Sequence, residues 1–536
     1  MEALVRVRFW GTRGSIAKPG SSTARYGGNT SCIEARSARG TLVVLDCGTG
    51  GHALGEDLMS AGAKGLRGHI LISHTHWDHI QGIPFFAPLF VAGNEWDIYG
   101  PKGLGQSLHE VLAGQMDYAY FPVTLDQCGA NIRYHDLVEG TFEIDDIKVS
   151  TRYLNHPALT LGYRLEADGV TVVYACDHEP YSNILAEGEG EITGQDLQHA
   201  RFITGADLLI HDAQYTGEEY PAKAGWGHST LEYAVKLSKE AQVKRLALTH
   251  HDPSRDDDAL DRLVASTKAK LRKNASPLEV FAAREGHALD LAHAHGKHFP
   301  GCVEGDFEAQ TLVDDALTDL SVVIGIADVK TGAALFQAVQ AEGIHAKFCS
   351  DADAARKLIA EDRPSLAILE HDPPSIDGLE TCRAIRQQDK DPEHSMPVVI
   401  VASEQDQARG ISAGVTDWLI KPFSSAYART KVRAWALRSA CKATRRLTPE
   451  RQELRFGQRS LPVEPPRLRP KRAQGARRPT PPTGTENGRF SNGAISTEKA
   501  ALLWMYCREV APFETPSFRK KIGQLIAHAT NTPAEM

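Results

Sequence analysis

Six short apolar runs in the first 251 residues are each closed by a glycine, an aspartate or a histidine, and that pattern constrains the fold more than any other feature of the chain. The runs are VRVRFWG, TLVVLD, HILIS with His74 after it, TVVYACD, DLLIHD and RLALTHH. Four to eight apolar or alternating residues bounded by turn formers read as strands. Several are followed by helix-like stretches, such as Leu231 to Glu240 with apolar residues at Leu231, Ala234, Val235 and Leu237. Strands mixed with amphipathic helices imply a layered α/β domain over residues 1–290, with its chemistry at strand ends. Histidine follows the same map: 14 of the 22 lie in the first 251 residues, beside aspartates at the ends of apolar runs. That placement points to metal chemistry.

The densest cluster is HTHWDH at 74–79, directly after HILIS. On an extended segment His74 and His76 point the same way, and Asp78 and His79 follow at the turn, so four ligands converge at one strand end. A polar loop with satisfied histidines is the bland alternative. Further candidates share the strand-end setting: His156 in YLNHPALT, Asp177 after TVVYAC, His211 and Asp212 after DLLI, His228 in GWGHST, and His250 with His251 after RLALT. His228 also reads as a neighbour of a helix N-cap near Thr230.

With these residues in place the chain resembles the metallo-β-lactamase superfamily over about residues 4–285. His74, His76, Asp78 and His79 match its HxHxDH motif, and FWGTRGS, NTSC and LDCGTG form a start of the expected type. The resemblance implies an αββα sandwich and two divalent metal ions, zinc first with manganese or iron as alternatives. One ion would be held by His74, His76 and His156, the other by Asp78, His79 and His250, with Asp177 bridging and Asp46 supporting from beneath. His250 directly follows its strand and is preferred to His251. HDA at 211–213 and HST at 228–230 look like the HEA and HST elements of ribonuclease Z and its phosphodiesterase relatives, with Asp212 in place of glutamate. A carboxylate orienting an imidazole beside such a centre makes His228 a general acid for a leaving alkoxide, so the catalytic set is His228, Asp212 and Asp78. Asp177 follows His156 by only 21 residues, enough for a hairpin turning at Asp168–Gly169 but not for the long tRNA-gripping arm of ribonuclease Z. A small or nucleotide-type phosphodiester is therefore expected, and nucleic acid is disfavoured. Trp77 would wall a small pocket, while Phe85 and Phe86 read as core.

Residues 291–319 weaken into a connector whose His293, His295 and His298 read as solvated. From Val322 strand and helix alternate strictly over residues 320–438, as in a doubly wound parallel sheet. LAILEHDPPSIDGLE and DWLIKPF here resemble the receiver domain of response regulators, which implies a flavodoxin-like fold and signalling partners. The phosphorylation set departs from the family: the acceptor position holds Glu370, the acidic pair is reduced to Ala327–Asp328, and Ala402 replaces the hydroxyl residue beside Ser403. Lys421 alone is intact, and Asp372 lies two residues beyond the acceptor register. Glu370 facing Lys421 would imitate the phosphorylated state in a pseudo-receiver. A scaffold, or a module that pairs two copies into a homodimer, is the alternative. Residues 439–492 are a basic, proline-rich linker, with 13 Lys/Arg against 4 Asp/Glu between 442 and 489. Residues 493–536 hold two short amphipathic helix candidates.

The net charge of −8 thus hides −17 outside that linker, which argues against nucleic acid spread over the whole surface. Nine cysteines with no CxxC pair fit a reducing compartment, and no apolar run reaches the length of a membrane span, so the expectation is a cytoplasmic protein. The function expected is a metal-dependent phosphodiesterase tuned or positioned by its receiver-like half. Thioester or lactone hydrolysis on the same scaffold, and a non-catalytic metal-binding signalling module, are the rivals.

Overall fold

The computed structural model describes residues 4–62, 64–101, 106–292, 320–388, 396–403, 413–423 and 425–445. Fourteen strands build the first half: β1 (Leu4–Gly11), β2 (Cys32–Arg36), β3 (Leu42–Leu45), β4 (Arg67–Leu71), β5 (Glu95–Pro101), β6 (Asn131–Leu137), β7 (Gly140–Ile144), β8 (Ile147–Tyr153), β9 (Leu161–Ala167), β10 (Val170–Ala175), β11 (Leu208–Asp212), β12 (Arg245–Thr249), β13 (Glu279–Ala282) and β14 (Ala288–Ala292). They form two seven-stranded sheets, in the orders β14-β1-β2-β3-β4-β5-β6 and β13-β12-β11-β10-β9-β8-β7. All six apolar runs are strands: β1, β3, β4, β10, β11 and β12.

The burial pattern explains why the runs are continuous. In β3 all four residues are buried, Val43 and Leu45 between the sheets, Leu42 and Val44 in the outer layer that includes Leu54 and Leu58 of the helix Gly50–Ser60. A strand covered on both faces must be apolar on both. In β10, Val172 and Tyr174 face inward, while Val173 and Ala175 belong to the cluster with Phe202, Leu237 and Leu271 of the helices Gly194–Ile203, Leu231–Glu240 and Asp257–Lys273. Each fully buried aliphatic side chain contributes roughly 1.5–3 kcal/mol. The result is four layers, helix, sheet, sheet, helix, as expected. The helix at Leu231–Glu240 has the expected bounds, and its N-cap Thr230 accepts from Tyr233 N at 3.1 Å. Residues 291 and 292, read as the start of the connector, are instead the end of β14, which pairs antiparallel with β1.

The second half is a five-stranded parallel sheet in the order β16-β15-β17-β19-β20, made of β15 (Ser321–Gly325), β16 (His345–Cys349), β17 (Leu366–Asp372), β19 (Val398–Ala402) and β20 (Asp417–Ile420); the short β18 (Ile376–Asp377) pairs with β17. This is the flavodoxin-like doubly wound order. Its last helix, Ser425–Arg445, is tied down by Glu342, whose carboxylate accepts from Arg429 at 2.8 Å and also pairs with Arg433. The helix continues into the stretch read as linker. The remainder of that linker, the three connector histidines and the C-terminal helix candidates lie outside the described residues. Among the described residues no helix is long and apolar enough to cross a membrane.

Candidate metal centre

Strand ends deliver the polar residues to one place. Asp46 follows β3, the 74–79 segment follows β4, Asp177 follows β10, Asp212 closes β11 and His250 follows β12, while His156 sits in the β8–β9 loop. Asp46, Asp177 and His250 all take left-handed backbone conformations, with φ of 57°, 58° and 59°. Non-glycine residues adopt that region rarely and at a cost of order 1–3 kcal/mol. Here it turns each chain sharply at the strand end and lays the side chain across the top of the sheets.

Among the described residues four overlapping groups of donor atoms result; Asp177 lies in one with Asp212, His228 and His250 and in another with His79 and Cys176, and the remaining two are made of the expected ligands. His74, His76, His156 and Asp177 form one; Asp78, His79 and His250 form the other, with Asp177 against it. In the first, His156 Nε2 lies 3.1 Å from His76 Nδ1 and 3.6 Å from Asp177 Oδ2, and His74 Nε2 lies 3.5 Å from the same oxygen. In the second, His79 Nε2 is 3.2 Å from Asp78 Oδ2 and 3.3 Å from Asp177 Oδ1; His250 Nε2 is 3.1 and 3.2 Å from the same two oxygens. Such spacings match ligands around a metal bonded at roughly 2.0–2.2 Å.

The rings are held from behind. His79 Nδ1 lies 2.7 Å from Asp46 Oδ2, His74 Nδ1 3.1 Å from Ser73 Oγ, His156 Nδ1 2.8 Å from the Gly227 carbonyl, and His250 Nδ1 2.8 Å from Gln214 Oε1. With one nitrogen engaged, each ring presents the other to the centre. His74 Nε2, His79 Nε2 and Asp177 Oδ1 are buried with no hydrogen-bond partner among the described residues. Buried polar atoms without partners are costly, and a cation bound between them satisfies all three. The residues therefore fit a metal.

At two of the rings the electrostatics favour ligation; at His79, burial is outweighed by Asp78, Asp177 and Asp46, which hold the pKa well above the ordinary histidine range, so a bound cation would have to displace that proton. Burial, together with the neighbouring imidazoles, holds His74 far below the ordinary histidine range, and burial, outweighing the pull of Asp177, pushes His156 down to about 3. Both stay neutral, with a lone pair to offer. Burial works against ionised Asp78 and Asp177, but the surrounding histidines outweigh it and keep both carboxylates charged.

Beside the centre His228 Nδ1 lies 2.9 Å from Asp212 Oδ2 and 4.0 Å from Asp177 Oδ2. The aspartate, shorter than the glutamate of the resembled motif, still reaches the ring. Burial disfavours the His228 cation, yet Asp212, with Asp177 and Asp78 behind it, outweighs that and pushes its pKa up to about 9. His251 turns away, its Nε2 2.8 Å from the Ala283 carbonyl, and His211 Nε2 lies against His199. Trp77 is exposed, Phe86 is core, and Phe85 is 54% exposed, packed edge-on against Phe121 rather than in the core. The apolar run there is not uniformly inward, because the short 3-10 turns in it rotate successive side chains to opposite sides.

Sequence reading missed Ser73, Gln214 and Gly227. Gln214 was visible as a polar residue two places beyond Asp212 at a strand end. Gly227 has φ of 90°, and a Cβ there would lie 2.3 Å from His156 Nδ1. In the second half Glu370 accepts from the Ala327 and Asp328 amides at 2.6 and 3.1 Å and pairs with Lys421. The Asp328 carboxylate is not part of that contact; it caps the helix Val329–Gln340, accepting from Thr331 N at 3.1 Å.

Comparison with known proteins follows the same division. Residues 41–251 match the beta-lactamase superfamily domain and residues 328–433 the response regulator receiver domain. The chain is 26% identical over 279 residues to Ribonuclease BN of Cronobacter sakazakii, covering 44% of this chain and 87% of the relative. It is 29% identical over 290 residues to Ribonuclease Z of Lactococcus lactis subsp. cremoris, covering 46% and 88%. Among solved structures, human tRNase Z, short form, is similar at 22% identity and a TM-score of 0.37, covering 53% of this chain and 98% of that one.

Proposed function

We propose that this chain, which joins a metallo-β-lactamase domain, a metal-dependent hydrolase of the phosphodiesterase-like kind, to a response regulator receiver domain, is a dinuclear hydrolase of small or nucleotide-type phosphodiesters. The carrying observation is the pair of donor groups sharing Asp177, with the Asp212-backed His228 at their edge. His74, His76 and His156 would hold one ion, Asp78, His79 and His250 the other. When bound, two divalent ions supply Lewis acidity toward the phosphoryl oxygens and an activated water. Zinc suits both imidazole-rich groups, with manganese or iron as the alternatives.

The protein's own part is orientation and proton delivery. Asp46, Ser73 and Gln214 fix the imidazoles, and the Ser15 amide, 2.7 Å from Asp78 Oδ2, holds that carboxylate. Asp212 occupies His228 Nδ1, leaving Nε2 to face a substrate and protonate the departing alkoxide. The short β9–β10 hairpin supports small diesters over folded RNA, while the ribonuclease names of the relatives support the phosphodiester bond itself.

In the receiver half, the Glu370 carboxylate fills the acceptor pocket between two backbone amides and Lys421, which supports a pseudo-receiver held in one state. A chromogenic phosphodiester assay tests the hydrolase: purified protein should turn it over, and both chelation and Asp78→Ala should abolish that. Turnover indifferent to both would refute the reading.

A further inference from the structure

The receiver half reaches the loop that carries His156. On the helix Ser425–Arg445, Lys431 is 6% exposed, and its amine donates to Asn155 Oδ1 at 2.5 Å and to Asp417 Oδ2 at 3.0 Å. Trp435 Nε1 donates to the same Asp417 oxygen at 2.8 Å. A buried ammonium is costly unless paired and hydrogen-bonded; Asp417 neutralises it within the receiver, and Asn155 supplies an acceptor from the hydrolase half. The surroundings are continuous: Tyr153 and Leu159 of the first half share one buried apolar cluster with Val432, Trp435 and Ala436 of the helix.

Asn155 is fixed on every side. Its Nδ2 donates to the carbonyls of Glu179 and Pro180 at 3.0 and 3.3 Å, its amide donates to His178 Nδ1 at 3.1 Å, and its carbonyl accepts from Glu179 N at 2.8 Å. Glu179, itself buried, accepts from the amides of Gly225 and Gly227 at 2.6 and 2.8 Å. The Gly227 carbonyl then takes His156 Nδ1, and His228 is the next residue. From the receiver helix, polar contacts thus run to Asn155, the residue before His156, and on through Glu179 and Gly227 to His156 Nδ1, with His228 next to Gly227 in the chain.

We infer that Lys431 is a positioning residue for the metal centre, supplied by the receiver half and acting through Asn155 on the orientation of His156. This rests on the reading of His156 as a metal ligand. The receiver is then a built-in part of the hydrolase's supporting shell.

The test uses the full chain with cobalt(II) alone as probe, reading affinity and the visible absorption band. Asn155→Ala, which leaves the Lys431–Asp417 pair whole, and Lys431→Met should each weaken the tighter cobalt site by about tenfold and alter its band, the lower range for losing an outer-shell partner. The double variant should be no worse than either single one, and Lys431→Arg should recover most of the affinity. Wild-type cobalt binding with an unchanged constant and band in folded Asn155→Ala overturns the inference, and that variant decides if Lys431→Met does not fold. Wild-type protein that binds no cobalt overturns the metal reading, and this inference with it.

Discussion

At the scale of single residues, the centre depends on atoms that touch no substrate. Gln214 holds His250 by one hydrogen bond, and replacing it by leucine leaves the ring free to rotate off the centre. Gln214→Leu should lower metal affinity by about 10- to 100-fold, readable by titration against a competing chelator. Removal of His228 should behave oppositely. His228→Gln should keep the metal content and slow cleavage of diesters with poor alkoxide leaving groups by about 10²–10⁴-fold, while nitrophenyl diesters, whose leaving group hardly needs a proton, lose far less. Equal losses on both, or loss of metal, would make His228 a ligand or a structural residue. The ligand types were legible because histidine and aspartate at strand ends have few structural reasons to cluster. What orients them was not: a serine inside an apolar run, or a glutamine two places past an aspartate, acquires meaning only once the sheets bring it under a ring.

At the scale of elements, the helices outside the second sheet are joined by a buried carboxyl. Asp196, on the helix Gly194–Ile203, accepts from Tyr233 OH at 2.8 Å and Tyr181 N at 3.1 Å. Burial raises its pKa from the ordinary 3.8 to about 7, against the pull of those hydrogen bonds. Between the two values the folded protein keeps a proton that the unfolded chain has released, so stability declines as pH rises through that window, by about 1.4 kcal/mol per unit, until the group ionises above about 7. Asp196→Asn mimics the protonated form at every pH. Relative to wild type it should therefore gain in urea midpoint between pH 5 and pH 8, and a constant difference would show that Asp196 ionises freely. The strands themselves were readable, because burial on both faces demands continuous apolar runs. Their order was not: β14 pairs with β1 from the far end of the domain, and the antiparallel β7–β8–β9 edge, though its partners are neighbours in sequence, carries mixed patterns that do not announce strands. The left-handed turns at Asp46, Asp177 and His250 were equally hidden, since no glycine marks them.

For the whole molecule, the receiver half carries the fold of a switch, and on the proposed reading Glu370 already fills its acceptor position. With Glu370 against Lys421 and the Asp328 carboxylate spent on a helix cap, acetyl phosphate should not label the protein. Glu370→Gln removes the charge while nearly keeping the shape, and a changed hydrolase rate or changed self-association on sedimentation would reveal coupling. Stoichiometric labelling that survives Glu370→Gln and vanishes in Asp372→Asn would show a working receiver instead.

The division of the hydrolase half between its two sheets has a consequence for assembly. β1 through β6 bring His74, His76, Asp78 and His79, while β7 through β13 bring His156, Asp177 and His250; the chain passes to the second sheet between Leu137 and Gly140 and returns to the first between Ala282 and Ala288. Neither sheet holds a complete set of donors for either ion. On the proposed ligand set, the metal would be a clasp across two independently drawn surfaces, closed only when both are finished. During synthesis the first sheet must wait, with β1 uncovered at its edge, until β14 emerges nearly three hundred residues later. A fragment that ends before β12 would, on that ligand set, lack His250, so hydrolysis would await both sheets.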